Sequence, residues 1–389
     1  MNKIARQSKN HNDKMRNVNH VYSYSFGRFL NQSDGNLLIN GGSKNKRREC
    51  LMNFIIDTQN KSQETVVIFS EDRVLEEELI DSANNGFIGQ LFVCNDRYPN
   101  YDFFCGMSTT HICEYFNLIA AEKGIKDTIE LNSFTDAFIS ILSNQSPIRL
   151  ASMRYMARND NALLGELSQN SYDSEMILAS TRGGVGFRSL LNNSCQAFSA
   201  LTTSSCESSL CLRNMVGRDC VILINPSEFS PEFLSIYFAV ELKSLIGQNF
   251  TCIFDDTVLL NHRFMQSVIG MMKQRQQTIV VISHENIVAI DSEEMLSRNF
   301  NRNLILLNGN TPYVDLQKTL SEFGQYTHMQ PMANKSQPPR IIFTLYRGEG
   351  EAAVPFTRDR VILQEEYGNE ALLKGGSSSE IIITKRLLS

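Results

Sequence analysis

The chain contains no run of about eighteen consecutive apolar residues, so nothing in it predicts a membrane-spanning helix. It has no C-x-x-C pair: nine cysteines scatter over positions 50, 94, 105, 113, 195, 206, 211, 220 and 252, a spacing that excludes zinc-ribbon and thioredoxin-like readings. Cys94, Cys220 and Cys252 lie inside apolar, strand-like runs, which predicts buried thiols in a reducing cytosol and hence a cytoplasmic protein. Positive charge is not in excess either. Lys and Arg number 37 against 42 Asp and Glu, a formal charge of −5, so charge-driven nucleic-acid binding over the whole surface is excluded and any DNA contact is local. The first residues, MNKIARQSKNHNDKMR, are basic and polar without an apolar core and do not read as a signal peptide. No internal repeat of solenoid period is visible.

What is present points to one α/β domain with a substantial insertion. Residues 1–32 carry Lys3, Arg6, Lys9, Lys14, Arg16 and Arg28 among polar residues and read as a basic mobile arm. Residues 33–146 hold the first part of the α/β domain, and 147–215 a mostly helical insertion. Residues 216–325 hold the second part, and 326–389 a C-terminal extension with small strands at 341–345, 360–363 and 381–384 and a turn over 373–379. The apolar runs Thr65–Ser70, Gly89–Cys94, Cys220–Ile224, Phe250–Phe254, Thr278–Ile282 and Asn303–Leu307 read as strands buried on both faces. Helices between them imply a mainly parallel sheet. Those helices are expected near Val74–Ile80, His111–Gly124, Asn132–Leu142, Pro231–Ile246, Asn261–Lys273 and Thr311–Phe323.

The stretch that organises the chain is GNLLINGGSKNKRREC, Gly35 to Cys50. Residues 36–39 read as a buried strand, Gly41 and Gly42 as a turn, and Arg47 onward as a helix, the layout of a phosphate-cradling loop. Laid on G-x-x-x-x-G-K-[ST], Gly41 takes the first glycine, while Lys46, Arg47 and Arg48 stand where Gly, Lys and Ser/Thr belong. Lys46 resists the close backbone approach that the second glycine allows. Arg47 offers a wide fork rather than a point charge, and Arg48 repels a cation that a hydroxyl would hold. Efficient phosphoryl transfer is thereby disfavoured, while weak anion or nucleotide binding through Gly41, Gly42, Lys44, Lys46, Arg47 and Arg48 stays open. A generic basic turn is the alternative.

Asp255 and Asp256 end an apolar strand, at the edge where open α/β sheets bind ligands. There Asp255 can hold Mg²⁺ and its neighbour position a water; in the plainer reading one of them caps the next helix and the other is solvated. Ser283 and His284 end the following strand and read as sensors of a bound phosphate. A hydrolase reading of that pair lacks a G-x-S-x-G elbow. Lys273 and Arg275 read as a solvated helix end, with a charge clamp acting in trans as the alternative. The glycine-rich Thr181–Gly186 has no strand before it and reads as a flexible loop, with a phosphate site as the weaker alternative. Arg154 and Arg158 share a predicted helix face with Arg149 nearby, a candidate DNA contact.

In this order the parts resemble the FtsK–HerA–TraG superfamily of DNA-pumping ATPases, most nearly the conjugative coupling proteins of the TraG/TraD kind. The resemblance runs from Gly35 to Phe323 through NLLINGGSKNKRREC, TVVIFSED, DCVILINPSEFSPEFLSIYFAVELKSL, TCIFDDT and MMKQRQQTIVVISHENIVAI. It implies a RecA-like P-loop NTPase fold, ATP and Mg²⁺ as cofactors, ring assembly, and partners among the subunits of a DNA-transfer or type IV secretion machine. The chain departs from the pattern at GK[ST] and carries Asp-Asp where Asp-Glu is usual. The expectation is a catalytically impaired relative that binds or scaffolds. Its rivals are an active DNA-stimulated ATPase, with Asp255 and Asp256 catalytic, and an adaptor with no nucleotide.

Overall fold

A computed structural model describes residues 36–41, 44–125, 158–159, 187–202, 210–226 and 231–284, together with the backbone of strands within 302–380. The arm over 1–32, the helices expected over 132–142 and 311–323, the loop 181–186 and the strands expected over 360–363 and 381–384 lie outside the described residues. The chain divides into two compact units. One comprises Met1–Asp57, Val281–Ala289 and Asn299–Ser389; the other comprises Thr58–Val280 and Ile290–Arg298.

The larger unit is built on four parallel strands, β2 (Val66–Ser70), β3 (Gln90–Cys94), β4 (Cys220–Ile224) and β5 (Phe250–Asp255). They pair in the order β3-β4-β2-β5, with Val66 opposite Val221 and Thr251, and Gln90 opposite Cys220. Every residue of β2, β4 and β5 is buried, which is why each reads as an unbroken apolar run rather than an alternation. Strand β3 is different: Gln90 is exposed and Leu91, Phe92 and Val93 are half-buried, and within this unit it pairs with β4 alone.

The helices of this unit are α2 (Arg73–Asn84), α3 (Thr109–Glu122), α4 (Phe187–Phe198), the short α5 (Leu212–Met215), α6 (Pro231–Ser244) and α7 (Arg263–Lys273). Asp72 caps α2 by accepting from the Val74 amide at 3.2 Å. Leu75 and Leu79 face the core. Val74, on the opposite side of the first turn, is exposed. Helix α3 starts two residues before the expected His111 because Ser108 supplies a cap, and Gly124 ends it at φ +68°. Helix α6 is buried on all sides from Phe233 to Leu242 and packs against α3, α4 and α7. Around it Tyr101, Phe103, Phe104, Tyr115, Phe198, Tyr237 and Phe238 interlock edge-to-face and stacked, with Phe103 and Phe198 3.9 Å apart at their ring centres. Lys273 is buried rather than solvated, while Arg275 is exposed.

The smaller unit holds β1 (Leu37–Gly41), most of β6 (Thr278–His284), and β7 (Arg302–Leu307). Strand β1 lies between the other two, parallel to both. Helix α1 (Lys44–Ser62) follows β1 and runs from this unit into the larger one. Strands β8 (Tyr326–Met332), β9 (Arg340–Tyr346) and β10 (Pro355–Arg358) form a separate antiparallel sheet in the order β10-β9-β8. Strands β11 (Glu370–Gly375) and β12 (Ser378–Glu380) pair antiparallel, and β11 continues antiparallel onto β7. The turn expected over 373–379 is therefore a hairpin whose link is only residues 376–377.

Candidate functional site

At the carboxyl ends of β2 and β5, strand register places Ser70 directly beside Asp255. The Ser70 hydroxyl donates to Asp255 Oδ2 at 2.9 Å and accepts from the Asp72 amide at 3.1 Å. Asp255 is 3% exposed. Glu71 reaches the loop after β5, its Oε1 accepting from the Val258 amide at 3.0 Å. Asp256 is half-buried and holds φ +42°, the left-handed region that costs a non-glycine residue about 1 kcal/mol or more. Neither aspartate acts as a helix cap: Thr257 caps the 3₁₀ turn Val258–Asn261, and His262 caps α7. The capping explanation for the pair is thus removed. Sequence reading overlooked Ser70 and Glu71, although a Ser-Glu-Asp run closing a buried parallel strand was the signal that marked them.

The second group lies in the smaller unit, where Gly41 is the last residue of β1. Ile39 stands opposite Ser283 and Asn40 opposite His284, so the ends of β1 and β6 are neighbours. Ser283 is fully buried and its hydroxyl has no hydrogen-bond partner among the described residues; His284 is half-buried. Helix α1 begins at Lys44, three residues earlier than the sequence predicted. Strand and helix are separated by residues 42 and 43 alone, and Gly42 lies outside the described residues. Without a second glycine at 46, the residues Lys44 to Lys46 take helical backbone instead of an open loop.

Lys44 is exposed, whereas Arg47 and Arg48 are only 2% and 9% exposed. The first turn of α1 contains no acidic residue. Cations at this end oppose the helix dipole, at roughly 0.3–1 kcal/mol each. The donor set does not fit a phosphate-bound Mg²⁺: on the G-x-x-x-x-G-K-[ST] spacing, the buried Arg48 guanidinium stands where a hydroxyl ligand belongs. Among the described residues no group of three or more His, Cys, Asp or Glu side chains gathers as a metal site. Arg158 is exposed, and Arg149, Arg154 and the side chain of Lys46 lie outside the described residues.

Parallel strands with crossover helices, a strand–glycine–helix turn and carboxylates at a strand end define a P-loop ATPase-type α/β fold. More particularly, it is the fold of the TraG/TrwB kind. Among solved structures the chain is similar to the bacterial conjugative coupling protein TrwBdeltaN70, in a trigonal form in complex with sulphate. That match has a TM-score of 0.53 at 11% identity, over 91% of this chain and 86% of that one. VirB4 of Thermoanaerobacter pseudethanolicus is similar at a TM-score of 0.42 and 10% identity, over 74% of this chain and 80% of that one. No protein-family model and no curated protein matches the chain. Among the described residues no helix is long and apolar enough to cross a membrane.

Proposed function

We propose that this chain is a P-loop ATPase homologue that does not hydrolyse ATP and serves as a binding or scaffolding subunit in a DNA-transfer or secretion machine. The observation that carries the reading is the start of α1. A phosphate cradle needs several residues of open backbone, a close-approach glycine and a hydroxyl for the metal. Here the link is two residues long, the helix has begun at Lys44, and Arg48 is buried where the hydroxyl would be. The kind of machine is taken from what the TrwB relative is, a conjugative coupling protein. A role for Asp255 and the sensor position of Ser283 and His284 belong to the same proposal, as does local DNA contact through Arg149, Arg154 and Arg158.

Purified protein given ATP and Mg²⁺ is expected to release phosphate no faster than an Asp255→Ala variant. Turnover at ordinary motor rates that this substitution abolishes would overturn the proposal in favour of an active ATPase. Replacing Lys46→Gly, Arg47→Lys and Arg48→Ser together, with folding checked by thermal melting, is expected to give an ATP-dependent rise in melting temperature larger than that of the natural chain. DNA contact predicts a mobility shift that weakens steeply with salt.

A further inference from the structure

Away from either strand edge, a turn and a short helix hold two thiols together. The turn 102–107 lies against the start of α5: the Asp102 amide donates to the Leu210 carbonyl at 2.8 Å, and Arg213 Nη1 donates to the Gly106 carbonyl at 2.9 Å. Phe104 at φ +64° and Gly106 at φ +64° flank Cys105 within this turn. The Phe104 amide, donating to the Tyr237 hydroxyl at 2.8 Å, fixes the turn to the aromatic core. Cys105 is half-buried and Cys211, the residue before α5, is fully buried. Cys105 lies beside Cys211, and Asn214 Nδ2 donates to Cys105 Sγ at 3.5 Å.

We propose that Cys105 and Cys211 are a reversible oxidation site that closes to a disulfide on reaction with a small peroxide. This does not depend on the proposed function above. The hydrogen bond from Cys211 draws the Cys105 thiol below its ordinary value, against burial and the Asp102 carboxylate. Giving that bond, followed by burial and the charge of Glu241, holds the Cys211 thiol far above its own. The reachable sulfur is therefore the better anion, and the sheltered one keeps its proton.

In the first step Cys105 thiolate attacks a peroxide oxygen, the O–O bond breaks, and the departing hydroxide takes up a proton as water. Cys105 is oxidised to the sulfenic acid and the peroxide is reduced. Cys211 sulfur then attacks the sulfenic sulfur; the S–O bond breaks and the hydroxyl leaves with the Cys211 proton as a second water. A small thiol in excess reverses the product by exchange.

Full-length protein treated with hydrogen peroxide and then alkylated is expected to lose two thiols per chain. Peptide mapping should find the segments bearing 105 and 211 linked, with recovery after a reducing thiol. Cys105→Ser should lose no thiol under the same treatment, and Cys211→Ser should stop at a sulfenic acid trappable with a cyclic diketone. Cys113, also half-buried, should remain alkylatable throughout. A linked pair elsewhere, or Cys105 reacting no faster than Cys113 with no linked peptide, would overturn the proposal. Because the mapping is done on the unaltered chain, the outcome stands even if Cys211→Ser fails to fold.

Discussion

The loop after β5 and the start of α1 each come after a parallel strand, yet they treat charge in opposite ways. After β2 and β5, carboxylates receive donors: Ser70 gives to Asp255, Val258 to Glu71, and Val74 to Asp72. At the start of α1, Lys44, Lys46, Arg47 and Arg48 crowd the positive end of a helix dipole with no acid in the first turn. The first arrangement is satisfied from within the chain. In the second, the helix dipole and the cations oppose one another, so an anion added from solution is expected to stabilise it.

Glu241 sharpens the contrast, because it is a carboxyl whose burial outweighs its donors. It accepts from the Tyr101 hydroxyl at 2.5 Å, but its Oε1 is buried without a hydrogen-bond partner among the described residues. Burial pushes its carboxyl up to about 7 from an ordinary 4.5, against the Tyr101 bond and the Arg213 charge. The folded chain therefore keeps this proton where the unfolded chain has lost it. Stability from this group is complete below about pH 4.5, declines as pH rises, and is gone above about pH 7, a total of about 3 kcal/mol. Glu241→Gln is expected to flatten that decline, with urea midpoints converging on the natural chain at acid pH and exceeding it above neutrality. Equal pH dependence in both would reject this account.

Removing a donor from the acidic edge should have the next largest effect. Ser70→Ala leaves a buried Asp255 oxygen without its hydroxyl and the Asp72 amide without its acceptor, so a loss of about 2 kcal/mol in urea unfolding is expected. If the edge were merely solvated, the change would be near zero. Smaller again is Asp256→Gly. Glycine takes φ +42° without a Cβ penalty, and a gain of about 1 kcal/mol is expected, offset in part by the freedom glycine adds to the unfolded chain.

The parts that were legible in sequence were those whose burial is uniform. VVIFS, CVILI and FTCIFD declare themselves as strands because no position faces water, and Pro231 marks the start of α6. Asp255 and Asp256 were visible because acids interrupt an apolar run. Ser70 was not, since its role depends on Asp255, 185 residues away, and only strand register brings them together. The early start of α1 was missed because the glycine motif was followed in preference to Ser43, a capping residue type immediately before Lys44. Burial of Arg47, Arg48 and Lys273 was illegible for another reason: long aliphatic stems let charged residues pack against apolar surface, and no local pattern records it.

The smallest effect tests the basic turn most directly. Lys44 is exposed and is the first residue of α1, so Lys44→Glu changes the sign of one charge at the dipole's positive end without disturbing packing. In dilute buffer the variant is expected to be more stable by roughly 0.5–1 kcal/mol, and the gain should shrink as salt rises toward about 1 M, where the screening length falls to about 3 Å. Inorganic phosphate should work the other way, raising the melting temperature of the natural chain more than that of the variant, because the substitution removes part of the charge the anion would neutralise. If Glu at this position costs stability, the turn's cations already have their counter-charge within the protein. If phosphate stabilises both chains equally, the turn is not where it binds.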